Sequence, residues 1–168
     1  MTMRILLIMT CFVNIAFAFG SLPWMPEHVA KQFAHDGTPT SYVPSIASAM
    51  LLSVLSGIIA AVFFGISLVM PMIAASMPEK INIPNRDYWL NDENRQKTIR
   101  HLCFSIELMG ILTMFLFLLV QWELFRANQT IPPKMSSNSV LLVGKLYAVV
   151  LVFEIVRLLW SLRLPKES

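Results

Sequence analysis

From Ser45 to Ala75 the chain reads SIASAMLLSVLSGIIAAVFFGISLVMPMIAA, thirty-one residues without one Asp, Glu, Lys or Arg. Roughly 20 apolar residues are enough to carry a helix across about 30 Å of hydrocarbon. The run is too long and too unbroken for the alternating strands of a barrel, so a membrane-spanning helix is the reading. A soluble core requires no such stretch.

Three further runs have the same character. ILLIMTCFVNIAFAFG, from Ile5, predicts a helix over residues 3–21. LCFSIELMGILTMFLFLLVQW predicts one over 102–122, and SVLLVGKLYAVVLVFEIVRLLWSL one over 139–162, with the opening run giving 45–75. The composition agrees: 56% of residues are apolar and 14% charged, an imbalance that leaves too little polar surface for a soluble domain. The expectation is an all-α integral membrane protein, one domain over residues 1–168, built as a four-transmembrane-helix bundle. Met1 to Arg4 and the AFA at Ala16 to Ala18 also fit a cleaved leader, but a retained first helix is the expectation.

Charge orients the bundle. Residues 76–101 carry Lys80, Arg86, Arg95, Lys97 and Arg100, and the chain ends add Arg4, Arg163 and Lys166. The segments 22–44 and 123–138 hold only Lys31, Arg126 and Lys134. Residues 76–101 and both termini are therefore expected on the cytoplasmic side, with the other two loops outside. The basic loop accounts for the net charge, so nucleic acid is not implied.

Ionisable groups inside spans are costly and mark candidate sites. Glu107, Glu154 and Arg157 fall at matched depth on antiparallel helices, which makes one charge cluster possible, either a structural pairing or a proton or ion path. Asn14 is placed to join either. Lys145 and Glu123, near the other boundary, pair or snorkel. In the second run Ala49, Ser53, Gly57, Ala61 and Gly65 recur every four residues. Such a stripe predicts close helix packing within the bundle, with homodimerisation as the alternative.

The loop INIPNRDYWLNDENRQKT holds Asn85, Arg86, Asp87, Tyr88 and Trp89. Tyr and Trp are headgroup-level residue types, so the loop reads as a membrane-surface anchor or as a docking surface for a protein partner. Asn91 is an expected N-cap for a basic helix that runs into the third span. In the outer segment, Pro26 can open a short helix, but His28 and His35 would then lie two turns apart, too far for one metal. Neither a cofactor motif nor a catalytic constellation is present, and Cys11 and Cys103 lie in or beside apolar runs. Lipid is the expected surrounding, with a protein partner or a second copy as the expected contact.

INIPNRDYWL followed by a polar, Arg-containing helix resembles the cytoplasmic signature of small bacterial membrane proteins of the domain of unknown function 1648 family. LPWMPEHVAKQFAHDGTP is similar to the same family's outer pattern through Leu22, Pro23, Val29, Phe33, Gly37 and Pro39, with Gln32 where a His is usual. The resemblance spans roughly Ile5 to Leu102. It implies a multi-pass protein of the bacterial inner membrane, related to part of the SdpI-like immunity proteins. The functional expectation is an accessory, sensor or immunity-type protein that works through protein contacts. A small transporter or channel element using Glu107, Glu154 and Arg157 is the alternative.

Overall fold

The structure, a computed structural model, describes residues 2–163. Met1 and Lys166, used above for the leader and for orientation, lie outside the described residues. Helix α1 spans Thr2–Gly20, α2 Ser45–Ser76, the single turn α3 Arg86–Trp89, α4 Arg95–Asn128 and α5 Ser137–Ser161. Between α1 and α2 lie a 3-10 turn at Leu22–Trp24 and two strands, β1 His28–Phe33 and β2 Pro39–Pro44.

Helices α1, α2 and α4 are long and apolar enough to cross a membrane. Each packs against the other two, while α5 lies against α4. Arg4 meets Glu107 and Asn14 meets Met114, so α1 and α4 run parallel. The α4–α5 seam is antiparallel and bridged three times. His101 meets Ser161 at 2.9 Å, Arg157 meets Ser105 at 3.3 Å, and Thr113 meets Tyr147 at 2.7 Å.

The distribution of residue types is inverted relative to a water-soluble bundle. Asn14, Ser56, Ser67, Ser105 and Gln121 are among the most buried side chains, while Phe12, Met72 and Val149 are each about two-thirds exposed. Water would drive the opposite arrangement. In lipid, apolar residues face outward at no cost, and polar or small groups hold the helices together.

Helix α4 is longer than the predicted 102–122. Its 34 residues rise about 51 Å. Hydropathy marks where the surroundings change, not where a helix stops, and Arg95, Gln96, Lys97, Glu123 and Arg126 are good helix formers that carry the helix past the apolar stretch. The predicted loop 123–138 shrinks accordingly. Asn94, not Asn91, is the N-cap of α4, and Asn91 instead stands in the turn before it, its Oδ1 accepting the Asn94 N–H at 2.8 Å.

The expectation that the α2 stripe packs within the bundle is corrected. Ala49 is buried, but Ala61 is exposed, and a Cβ built at Gly57 or Gly65 meets nothing within 4 Å. The inward face instead follows Ala49, Ser53, Ser56, Ala60, Phe63, Ser67, Met70 and Ala74, at alternating spacings of four and three. A strict four-residue repeat rotates about 40° per step around a 3.6-residue helix, so it leaves the interface, whereas alternating four and three averages 3.5 and stays on it.

The segment between α1 and α2 is a β-hairpin, not a helix opened by Pro26. Strands β1 and β2 pair antiparallel, with a register shift between Ala30 and Gln32. Asp36-Gly37 makes the turn. Gly37 has φ 83°, and a Cβ there would run into the Met135 carbonyl, so the position requires glycine on both counts. The hairpin is tied to the bundle through Asn128, which accepts the Ala30 N–H at 2.7 Å and donates to the Ala30 carbonyl at 3.0 Å.

Candidate functional site

Pro71 lies inside α2, which continues through it to Ser76 instead of ending there. Proline has no N–H, so the carbonyl four residues earlier, that of Ser67, loses its helical donor. Two groups from other helices take its place. The Arg4 guanidinium donates Nη2–H to Ser67 O at 3.2 Å, and the Cys103 thiol lies 3.5 Å from the same oxygen. A backbone orphan in the middle of a helix is thereby satisfied from α1 and α4.

The same three helices then meet at one carboxylate. Arg4 Nε donates to Glu107 Oε1 at 2.8 Å, and the Ser67 hydroxyl donates to that oxygen as well. Glu107 is 5% exposed, whereas the Arg4 side chain is 34% exposed, so the cation faces the surroundings and the anion is shielded behind it. A buried carboxylate is tolerable only when paired and hydrogen-bonded, and both conditions hold here.

The proposed cluster of Glu107, Glu154 and Arg157 therefore separates into two pairs. Arg157 binds Glu154 at 2.8 Å, three residues away on α5, and reaches Ser105 on α4. The cation on Glu107 is Arg4. Matched depth alone was not a sufficient criterion, because α1 lies beside α4 and its Arg4 reaches the carboxylate. In the sequence Arg4 stands out only as a charge that orients the bundle. Glu123 is bonded to Arg126 at 3.4 Å, while Lys145 is exposed.

A second polar node sits about three helical turns further along. Asn14 donates Nδ2–H to Thr10 O at 2.8 Å and to Met114 O at 3.2 Å, and its Oδ1 accepts from Gln121 Nε2 at 2.8 Å. Gln121 was not anticipated; its signal was a lone amide near the end of an apolar run. Leu7 and Met114, both 0% exposed, separate the two nodes. Gly110 closes the layer: a Cβ there would lie 2.8 Å from Phe63 Cβ and 3.0 Å from a Leu7 methyl.

The loop at the α1 N-terminal end of the bundle is partly turned inward. Trp89 Nε1 donates to Leu162 O at 2.6 Å and Asn85 Nδ2 to the same oxygen at 3.0 Å. Both side chains thus bind the carbonyl end of α5. Asn85 does so from the left-handed region, φ 53°, which Asn tolerates better than most residues. Arg86, Asp87 and Tyr88 form the outward face, with Arg86 bonded to Asp87 at 3.1 Å and Tyr88 set edge-on against Trp89.

In the hairpin turn, Asp36 Oδ1 accepts from the Thr38 hydroxyl at 2.7 Å and the Thr38 N–H at 3.0 Å, which hold its carboxyl below the usual range. Among the described residues no group of three or more His, Cys, Asp or Glu is placed to hold a metal ion. A scan against protein-family models and searches of curated proteins and of solved structures each returned no match.

Proposed function

We propose that the chain is a four-transmembrane-helix protein of the bacterial inner membrane, with both termini cytoplasmic, that acts through contact with another protein as an accessory, sensor or immunity-type component. The observation that carries this reading is that two of the three connecting segments, the hairpin between α1 and α2 and the loop between α2 and α4, are folded and clamped. Asn128 fixes the hairpin through Ala30, and Trp89 and Asn85 fix the other loop through Leu162. Recognition surfaces gain affinity when ordering is complete before binding. A mere connector has no need of such clamps. The resemblance of INIPNRDYWL and LPWMPEHVAKQFAHDGTP to small bacterial membrane proteins points to these same two segments.

The competing reading, a transporter or channel element, has the apolar layer of Leu7, Phe63, Gly110 and Met114 against it. The Arg4–Glu107 and Asn14–Gln121 nodes are on opposite sides of that layer, and a proton or ion path requires polar groups or water throughout. A photoreactive residue placed at Lys31 on the hairpin or at Arg86 on the opposite loop tests the contact reading in native membranes. The expected result is one dominant protein adduct at the Lys31 site that is lost in Asn128→Ala, where the hairpin is unclamped, or one at Arg86 that is lost in Trp89→Phe. Lipid and self-adducts alone at both sites would overturn it.

A further inference from the structure

At the Arg4 end of the bundle, α1, α2 and α4 enclose an open cleft of about 580 Å³ lined by Met3, Arg4, Pro71, Arg100, Phe104 and Glu107, among others. A shallower cleft of about 360 Å³ adjoins it and shares Pro71, Ile99 and Arg100. The walls are apolar and the polar groups are gathered along α4 and at Arg4. Arg100 and Glu107 are seven residues apart, so they share one face of α4, two turns or about 10 Å from each other. Arg4 spans part of that distance from α1. Two of its N–H groups are committed, to Glu107 and to Ser67, out of the five a guanidinium carries. Among the described residues Arg100 makes no ion pair and no side-chain hydrogen bond, and it is exposed. Two guanidinium charges against one carboxylate leave the cleft with a single unmatched positive charge, a count that the Asp92–Arg95 ion pair lining the adjoining cleft does not change.

We propose that this cleft holds one anionic phospholipid of the adjoining leaflet, its phosphate between Arg100 and the free edge of Arg4 and an acyl chain along Pro71, Ile99 and Phe104. Guanidinium groups are suited to phosphate, and a phosphodiester supplies the one negative charge the cleft lacks. The apolar wall continues into lipid-facing helix surface, where Ile5, Ile8 and Met72 are exposed, so a chain laid along it stays in hydrocarbon. Tyr88, Trp89 and Trp160 lie toward the same end of the helices, which places Arg4 and Arg100 near headgroup depth. A soluble anion would fit the charge but would leave that wall uncovered.

The inference rests on membrane embedding, and one experiment separates the two. The full chain is reconstituted into vesicles of phosphatidylglycerol and phosphatidylcholine, floated on a density gradient, extracted in mild detergent, and its retained lipid counted by native mass spectrometry. Failure to float with vesicles contradicts embedding. For a floating chain, one phosphatidylglycerol retained in preference to phosphatidylcholine is expected, with retention about fivefold lower in Arg100→Gln and restored in Arg100→Lys. Among the described residues Arg100 makes no ion pair or side-chain hydrogen bond that its replacement would break, and an unchanged melting temperature verifies this for each variant. Equal retention of the two lipids, or Arg100→Gln behaving as wild type, overturns the lipid site. Displacement of the lipid by millimolar inorganic phosphate also overturns it, in favour of a soluble phosphate ligand.

Discussion

Pro71, Ser67, Arg4 and Glu107 form a chain of causes in which each residue accounts for the next: a missing N–H frees a carbonyl, the carbonyl fixes a guanidinium, and the guanidinium neutralises a carboxylate. Removing Arg4 is expected to cost more than removing the Ser67 hydroxyl. Arg4→Met leaves a buried anion without its cation, a loss of about 2 kcal/mol, less than the 3–5 kcal/mol typical of fully buried pairs because Arg4 is 34% exposed. Ser67→Ala removes one hydrogen bond of several and should cost about 1 kcal/mol. Chemical unfolding in detergent compares them, and Glu107→Gln in the Arg4→Met background should recover part of the loss. Asp36 gives a pH signature outside the membrane. Its folded pKa is lowered by Thr38, so its contribution is complete above the unfolded value of about 3.9 and fades as pH falls through the lower folded value. The Thr38 amide should stay protected from exchange at neutral pH and lose protection only in strong acid. The Glu154–Arg157 pairing was legible in the sequence because both partners are on one helix, one turn apart. The Arg4–Glu107 pairing was not, because it depends on which helices are neighbours.

Among the elements, the hairpin and α2 show which signals sequence carries. The turn signal Asp36-Gly37 was present, flanked by β-compatible residues such as Val29, Phe33, Tyr42 and Val43, yet the segment read as a loop with a short helix at Pro26. Asn128 could not have been connected with Ala30 from spacing alone, since 98 residues separate them. Asn128→Ala should release the hairpin without unfolding the bundle: hydrogen exchange at Ala30 rises, consistent with roughly 1–3 kcal/mol for a buried N–H and C=O left unpaired. On α2 the conspicuous four-residue stripe of small residues does not pack within the bundle, and the less visible alternation of four and three lines the inward face. Gly110 on α4 is the tight point. Gly110→Ala places a Cβ 2.8 Å from Phe63 Cβ and should destabilise by about 1–3 kcal/mol, whereas Gly57→Ala, in open space, should not.

For the whole molecule, long apolar helices were the most legible feature, since a bilayer imposes length and hydrophobicity on them directly. Among the described residues three helices meet that standard, and the polar interior they enclose is divided by an apolar layer into an Arg4–Glu107–Ser67 node and an Asn14–Gln121 node. On this geometry the buried charges hold helices together, and the proposed function is assigned to the clamped surfaces at either end. Proton and cation flux into vesicles containing the purified full chain is the most direct measurement of that claim. Flux equal to that of protein-free vesicles, in wild type and in Glu107→Gln alike, is the predicted result. Flux that appears with the wild type and disappears with Glu107→Gln would contradict it and make the Arg4–Glu107 node part of a conduction path.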